Sequence, residues 1–244
     1  MYGLIGEKIG HSFSAVFFNE KFKRENIDEC YRLFPLPSIN DFPSLLKEYP
    51  NLKGLNVTIP YKQQIIPFLN DLSDEAREIG AVNVIKIKNI EGKINLKGYN
   101  SDSIGFMESL LPILGPNIKN ALVLGTGGAS KAVAYVLNKL GIKVTFVSRN
   151  PTNEVLGYDQ LNKKIISENK LIVNTTPLGM YPEISQFPPI PYHELTGEHI
   201  CYDVIYNPDE TEFLKKSKVM GAKVKNGIEM LHLQALAAWD IWNQ

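Results

Sequence analysis

The sequence contains few cysteines and no excess of either charge. Its two cysteines, Cys30 and Cys201, are far apart and lack metal-ligand spacing, so free thiols in a reducing cytoplasm are expected. Lysine plus arginine and aspartate plus glutamate both number 26, which gives a formal net charge of zero. This balance provides neither a basic surface for nucleic acid nor a polybasic run for a membrane.

Long apolar runs are absent too. The apolar stretches are much shorter than a membrane span, and the residues after Met1 read as a strand, not as a signal peptide. The four histidines are scattered, so no metal site is predicted. A cytoplasmic monomer or homodimer is expected, and 244 residues can form one large domain or two small ones.

The most informative stretch runs from residue 119 to residue 147. Residues 121–124 predict a buried strand, residues 131–140 have the period of a packed helix, and residues 143–147 predict the next strand. The turn after the first strand reads Gly125-Thr126-Gly127-Gly128-Ala129-Ser130, with serine at the usual third glycine. This βαβ order places the glycines where a pyrophosphate would meet the helix N-terminus, and it makes a turn without a ligand the less favoured interpretation.

The residues after the second strand of this unit indicate which dinucleotide binds. An NAD site places Asp or Glu there to accept from the ribose 2′-hydroxyl, whereas this chain has Ser148-Arg149-Asn150. A guanidinium suits a 2′-phosphate, so the pattern favours NADP over NAD. An ordinary surface arginine is the alternative interpretation.

Polar residues gather at predicted element ends in the first hundred residues. Ser12 and Ser14 precede a helix predicted near 15–25. They can cap this helix or hold a small carboxylate, and capping is the favoured interpretation when the pair is considered alone. A strand within 52–62, broken by proline, brings three side chains to one place: Asn56, Thr58 and Lys62. A hairpin around Glu91-Gly92 follows, and it ends in Asn100-Ser101-Asp102.

The remaining chain continues the alternation of strands and helices. Strands are predicted at 170–173, 199–206 and 222–225, and helices at 103–114 and 211–220. A last helix, near 229–242, should bury Met230, Leu231, Leu233, Ala237 and Trp239, with Gln234 as a polar residue among them. The fold class is therefore α/β with two α/β domains: residues 1–102 together with a returning C-terminal helix at 228–244, and a Rossmann-like domain at 103–227.

Several separated motifs resemble those of the shikimate dehydrogenase family, and they occur in the order usual for that family. They are His11-Ser12-Phe13-Ser14, Asn56-Val57-Thr58-Ile59-Pro60-Tyr61-Lys62, Ala81-Val82-Asn83, Gly98-Tyr99-Asn100-Ser101-Asp102, the glycine turn 125–130, residues 174–180, residues 203–208 with Thr211, and residues 227–235. The chain departs from the family at Val84 and Ser101, where threonine is usual. It also lacks the further basic residue that often follows the NADP arginine by three or four positions.

The resemblance implies NADP-dependent, reversible reduction of 3-dehydroshikimate to shikimate, a step of chorismate and aromatic amino acid biosynthesis. It implies that Lys62 transfers the proton and that Asp102 orients Lys62 and bonds a substrate hydroxyl. It further assigns Ser12 and Ser14, with Tyr206, to the ring carboxylate, and Thr58, Asn83 and Gln234 to the hydroxyls. The residues assigned to NADP(H) are Gly125, Gly127, Gly128, Ala129, Ser148, Arg149, Thr175, Met180 and Gly227.

Two other interpretations stay open at the level of sequence. One is a quinate/shikimate dehydrogenase that uses NAD as readily as NADP, since only Arg149 supplies positive charge at the predicted clamp. The other is a non-catalytic metabolite- or nucleotide-binding regulator on the same fold. Lys62 and Asp102 argue against the regulator, because a sensor does not need a proton-transfer pair. Without the resemblance, a surface ion pair would be the favoured interpretation of these two residues.

Overall fold

The computed structural model describes residues 1–10, 12–90 and 92–244, and it has the α/β architecture that the sequence predicts. The strands are β1 Tyr2–Gly6, β2 Tyr31–Pro35, β3 Gly54–Val57, β4 Asp71–Leu72, β5 Val84–Ile90, β6 Lys93–Tyr99, β7 Asn120–Leu124, β8 Lys143–Ser148, β9 Val155–Gly157, β10 Leu171–Asn174, β11 Ile200–Asp203 and β12 Lys223–Lys225. The helices are α1 Phe13–Arg24, α2 Phe42–Glu48, α3 Tyr61–Gln64, α4 Asp74–Ile79, α5 Asp102–Leu110, α6 Gly128–Lys139, α7 Lys163–Glu168, α8 Glu212–Val219 and α9 Ile228–Asn243.

The chain divides into two compact units. The first comprises Met1–Ser101 together with Ala235–Gln244, and the second comprises Asp102–Gln234. Helix α9 therefore begins in the second unit and ends in the first.

The sheet of the first unit is mixed, in the order β2-β1-β3-β5-β6-β4. Strand β1 pairs in parallel with β2 and β3, whereas β3 pairs with β5, and β5 with β6, in antiparallel fashion. Neighbouring residues of β1 belong to different apolar clusters: Leu4 packs with Phe18 and Trp242, and Ile5 packs with Leu55. Because successive side chains of a strand point to opposite faces, this sheet carries a core on each face.

The sheet of the second unit has the order β12-β11-β10-β7-β8-β9, and its strand pairs are parallel. Strand β7 is buried on both faces, since Val123 belongs to one apolar cluster and Leu122 and Leu124 to another. Fully buried parallel strands of this kind read as continuous apolar runs, which is why residues 121–124 and 171–173 were recognisable in the sequence.

The buried face of α9 differs from the predicted one. Of the residues predicted to face a core, Met230 is buried, but Leu231, Leu233, Ala237 and Trp239 are only partly so. The deeply buried residues nearer the C-terminus are Ala235, Ala238, Ile241 and Trp242. Their spacing of three and four residues defines a helical face that lies beside the predicted one.

Some short elements have no counterpart in the sequence prediction. The two-residue strand β4, the three-residue strand β9 and helix α7 lie in segments without a clear apolar period. The predicted helix 103–114 ends earlier, at Leu110, and continues as a 3-10 turn over Leu111–Ile113. Strands β5 and β6 form the predicted hairpin, although Glu91 of its turn lies outside the described residues.

Within the three ranges that the structure describes, no helix combines the length and the apolar character needed to cross a bilayer.

Candidate active site

The first unit brings three of the predicted motifs together. Strand β3 ends at Val57, whose N–H donates to the carbonyl oxygen of Asn83 at 2.9 Å. Lys62 lies in the short helix α3, and its own carbonyl accepts from the N–H of Val82 at 2.7 Å. Asn100 donates through its side chain to Ala81 at 2.9 Å. Three stretches that are separated in sequence thus meet through hydrogen bonds at the end of β3.

Asn83 is the centre of this arrangement. It is buried, and its side-chain amide donates to the Ser101 hydroxyl at 3.0 Å and accepts from the Ser101 backbone N–H at 2.7 Å. The Asn56 side chain donates to the Asn83 carbonyl at 3.2 Å. Because buried polar groups are costly unless bonded, this network fixes the orientation of both amides. Ser101, which stands where the family usually has threonine, is thus the partner of Asn83 in both of these bonds.

The two serines near the N-terminus have different local roles. Ser12 is the N-cap of α1, and its hydroxyl accepts from the N–H of Ser14 at 3.2 Å, as the capping interpretation predicts. Ser14 lies in the first turn of the helix, and its side chain lowers the pKa of the Tyr31 hydroxyl, which burial raises by more. Both serines are half-buried. Residue His11 of the same motif lies outside the described residues.

Asp102 begins α5 directly after Ser101, and it is buried. Asp102 is the first residue of the second unit, and the residue before it, Ser101, is hydrogen-bonded to Asn83. A carboxylate in the first turn of a helix is stabilised by the helix dipole. Two other predicted substrate residues lie in the same unit. Burial raises the pKa of Tyr206, and Gln234 donates to the Leu231 carbonyl within α9 at 2.9 Å.

The glycine turn of the second unit connects β7 to α6. Gly125 has φ +108°, a conformation that favours glycine, and a methyl group there would lie 2.9 Å from the Thr175 hydroxyl. Gly127 is the N-cap of α6, and no side chain caps the helix. A methyl group on Gly127 would meet no atom within 4 Å. The first amides of α6 are thus left for another acceptor, which fits the pyrophosphate of a dinucleotide.

Ser130 explains the departure from the third glycine. It is fully buried in the first turn of α6, and its hydroxyl donates to the Gly127 carbonyl at 2.6 Å. A small side chain at this position permits close packing of the helix against the sheet, and the hydrogen bond satisfies its polar atom.

A buried carboxylate anchors the loop that follows β10. Asp203 accepts hydrogen bonds from the Thr211 hydroxyl at 2.6 Å, from the Ile205 N–H at 3.0 Å and from the Asn174 side chain at 3.1 Å. Asn174 in turn accepts from the hydroxyl of Thr176 at 2.7 Å. Burial raises the pKa of Asp203 to about 6, although the three donors lower it. The carboxylate thereby ties β11, α8 and the loop after β10 together.

The remaining predicted cofactor residues lie in the same unit. Thr175 donates through its hydroxyl to the Leu124 carbonyl at 2.6 Å, next to Gly125, while Met180 is 42% exposed. Gly227 is buried, and a methyl group there would overlap the Val204 carbonyl. Close packing of the backbone accounts for that glycine.

Strand β8 ends at Ser148, whose hydroxyl accepts from the N–H of Asn150 at 3.2 Å, and Arg149 is exposed beyond it. The positive charge of Arg149 lowers the pKa of Tyr158, which burial nonetheless raises to about 12. The buried Tyr158 hydroxyl has no hydrogen-bond partner among the residues that the structure describes. The end of β8 therefore offers the guanidinium of Arg149 and the hydroxyl of Ser148, donors suited to a phosphate.

The described part of the chain contains no group of three or more His, Cys, Asp or Glu residues that could hold a metal ion. Cys201 is buried, which raises its pKa to about 12, whereas Cys30 is exposed.

Two contributors to these arrangements escaped the sequence analysis. No role was predicted for Tyr31, and the anchoring role of Asp203 was not predicted although the residue belongs to one of the family motifs. Neither role has a local sequence signal, because the partners of each residue lie at distances along the chain that only the fold determines. Residues 25 and 29 positions apart meet in these two networks.

A unit with a parallel sheet, in which a glycine turn leads to a helix N-terminus without a side-chain cap, defines an α/β protein of the dinucleotide-binding class. The family model for the shikimate dehydrogenase substrate binding domain matches residues 4–85. A relative from Clostridium beijerinckii, named shikimate dehydrogenase (NADP(+)), is 41% identical over 258 aligned residues, which cover 100% of this chain and 92% of the relative. The chain belongs to the shikimate dehydrogenase family, and the resemblance of its motifs is confirmed.

Solved structures support the same conclusion. The shikimate dehydrogenase of Aquifex aeolicus has a TM-score of 0.86 with this chain at 36% identity, and the match covers 99% of this chain and 91% of that one. The shikimate 5-dehydrogenase of Thermus thermophilus, solved with NADP(H) and shikimate, has a TM-score of 0.85 at 30% identity, with coverages of 99% and 92%. The predicted fold class is confirmed by these matches.

Proposed function

We propose that this protein is an NADP-dependent shikimate dehydrogenase, which reversibly reduces 3-dehydroshikimate to shikimate in aromatic amino acid biosynthesis. The observation that carries the proposal is the network around Asn83, in which the motif residues Asn56, Asn83 and Ser101 meet beside the helix that holds Lys62. A polyhydroxylated substrate requires such a set of fixed donors and acceptors, because unpaired buried polar groups penalise ligands that lack the matching hydroxyls.

The two units divide the work between them. Four of the seven residues that we assign to the substrate lie in the first unit, for which the match of the substrate binding domain model to residues 4–85 is the support. We assign NADP binding to the second unit, which carries the glycine turn. The chain acts in the cytoplasm in this proposal, as a monomer or a homodimer.

The NADP-binding residues follow from the chemistry of the second unit. Gly127, Gly128 and Ala129 would offer backbone amides to the pyrophosphate, and Ser148 and Arg149 would hold the 2′-phosphate. The N–H of Gly125 donates to the Val147 carbonyl at 2.8 Å, so this glycine would contribute only the tight turn that lets the backbone approach the cofactor. Thr175, Met180 and Gly227 would line the nicotinamide end. When bound, the cofactor supplies the hydride, so the protein has to orient the substrate and manage one proton.

Lys62 manages that proton in the proposed mechanism. Reduction of a ketone places negative charge on its oxygen, and an ammonium can both stabilise that charge and donate the proton to the oxygen. In the oxidation direction, the neutral amine takes the proton back from the hydroxyl. Asp102 orients Lys62 and accepts from a substrate hydroxyl. The support for Asp102 is its position next to Ser101, which the Asn83 network fixes.

The other predicted residues hold the ring. Ser12 and Ser14, at the N-terminus of α1, would bind the carboxylate together with Tyr206. Thr58, Asn83 and Gln234 would bond the hydroxyls. These assignments explain why the site would reject a ring that lacks either kind of group.

The deciding experiment is a steady-state assay that follows the absorbance of reduced nicotinamide, with shikimate and quinate each offered NADP and NAD. Turnover confined to shikimate with NADP is expected. Comparable rates with quinate or NAD would instead indicate a broader-specificity dehydrogenase, and no turnover in any combination would favour a binding protein.

A further inference from the structure

Tyr31 interacts with the side chains of two residues of the candidate site, Asn56 and Ser14. Its hydroxyl donates to the Asn56 side-chain carbonyl at 2.7 Å, and the side chain of Ser14 lowers the pKa of the same hydroxyl, against the larger effect of burial. Tyr31 is 3% exposed, and burial raises the pKa of its hydroxyl well above its usual range. The phenol is therefore a neutral, fixed donor.

The register of the sheet explains how this contact arises. Strand β1 lies between β2 and β3, with Tyr2 opposite Tyr31 and Leu4 opposite Asn56. Tyr2 and Leu4 point to the same face because they are two residues apart, so the side chains of Tyr31 and Asn56 share that face. The Tyr31 hydroxyl spans β1 to reach Asn56.

Helix α1 supplies the second contact. Phe18 stacks on the Tyr31 ring with centroids 4.8 Å apart and planes 13° apart. Ser14 is four residues before Phe18 on the same helical face, so the stacked ring brings the serine to the phenol. The Asn19 side chain also pairs with the backbone of Tyr31, donating to its carbonyl at 3.0 Å and accepting from its N–H at 2.9 Å.

The hydrogen-bond directions are determined by the Asn56 amide. Its nitrogen donates to Asn83, so its oxygen must face Tyr31 and accept the phenol proton. The phenol oxygen then remains as the acceptor for Ser14. Without the phenol, the buried Asn56 oxygen would lose its donor, and the Ser14 hydroxyl would lose the polar neighbour that orients it towards a bound carboxylate.

We infer that Tyr31 is a positioning residue for substrate binding, which holds the Ser14 hydroxyl and the Asn56–Asn83 amide pair in place through one buried phenol. This inference rests on the proposed function, because it takes Ser14 and Asn83 as substrate-binding residues. Tyr31 itself acts through its neighbours and is not assigned a contact with the substrate.

The test is Tyr31→Phe in the full-length protein, assayed well below the melting temperatures of variant and parent. The KM for shikimate should rise about tenfold, which corresponds to about 1.4 kcal/mol, while kcat and the KM for NADP stay nearly unchanged. Because Ser14 is assigned to the carboxylate, the preference for shikimate over its methyl ester, measured as the ratio of kcat/KM values, should also fall. A purely structural role would lower the melting temperature without moving that ratio.

Tyr2→Phe is the matched control. Tyr2 is buried in the same aromatic cluster, 4.7 Å from Trp242 between ring centroids, but its hydroxyl lies near the charges of Glu29 and Lys53. The Tyr2→Phe variant should have the same KM for shikimate as the parent, and the same ratio of kcat/KM values for shikimate and its methyl ester. A parent-like KM and ratio in Tyr31→Phe would overturn the inference while leaving the proposed function intact. Absence of turnover in the parent protein would overturn both.

Discussion

Gly54 and Trp242 are in such close contact that a methyl group on the glycine would overlap the indole nitrogen. The same indole nitrogen donates to the Ile85 carbonyl at 3.1 Å, and the ring packs against Tyr2 and Phe18. The start of strand β3 and the end of helix α9 are thus fitted to each other inside the first unit.

This contact predicts energetic coupling between the two positions. Gly54→Ala should lower the free energy of unfolding by about 1–3 kcal/mol, because the extra methyl group overpacks the core. In a Trp242→Phe background the smaller ring leaves room, so the added cost of Gly54→Ala should fall, with a coupling energy of about 0.5–3 kcal/mol in denaturant unfolding. Gly115→Ala is the control, since a methyl group there meets nothing within 4 Å. Strict additivity of Gly54→Ala and Trp242→Phe would contradict the prediction.

Replacement of Lys62 tests the proposed proton transfer. Lys62→Ala should lower kcat by about 100- to 10,000-fold, the usual range for loss of a general acid or base, with shikimate binding largely retained in a calorimetric titration. Lys53→Ala is the matched control, because this exposed lysine lies in the same unit and pairs with Glu29. If turnover persists in Lys62→Ala, the assigned role is wrong.

We expect Arg149 to determine the cofactor preference of the proposed site. Arg149→Ala should raise the KM for NADP about tenfold or more, the cost of losing charge-assisted bonds to a phosphate, and leave the KM for NAD nearly unchanged. Lys143 lies at the opposite end of the same strand, so Lys143→Ala should affect neither cofactor. Equal effects of Arg149→Ala on both cofactors would remove the arginine from the 2′-phosphate site.

The buried carboxylate of Asp203 should make the free energy of unfolding depend on pH. Its pKa is about 6 in the folded protein against about 3.9 unfolded, so the folded state binds more protons between these values. The contribution of Asp203 to the free energy of unfolding is therefore fully present below pH 4. It is lost as the pH rises through 6, which lowers the free energy of unfolding by up to about 3 kcal/mol.

Asp203→Asn isolates this contribution from that of the other carboxylates. The free energy of unfolding of the parent, minus that of the variant, should decrease between pH 4 and pH 7 by up to about 3 kcal/mol. Chemical denaturation at a series of pH values measures the difference. A difference that is independent of pH would show that Asp203 does not titrate in this window.

The sequence predicts well those elements whose period or punctuation is long enough to be read. The run 121–124, the glycine turn and the helix after it are found as β7, Gly125–Gly127 and α6. Strands β4 and β9 were missed because two or three residues show no alternation. The buried face of α9 was misplaced because both of its flanks carry apolar residues, and only packing distinguishes them.

The candidate site divides in the same way. Asn83 and Lys62 could be proposed for the site because their motifs resemble those of the family, whereas the phenol of Tyr31 could not be, since its relation to Asn56 depends on the order β2-β1-β3. The bonds of Asn83 to Ser101 explain why serine serves at that position, which the sequence left as an unexplained departure.

The last turns of α9 bear on how the chain folds during synthesis. Ala238, Ile241 and Trp242 supply part of one of the two cores of the first unit, together with Leu4 and Phe18 near the other end of the chain. Residues 102–234 leave the ribosome before these aromatic and aliphatic side chains do. The N-terminal strands of the first unit therefore lack part of one core until Trp242 has been synthesised.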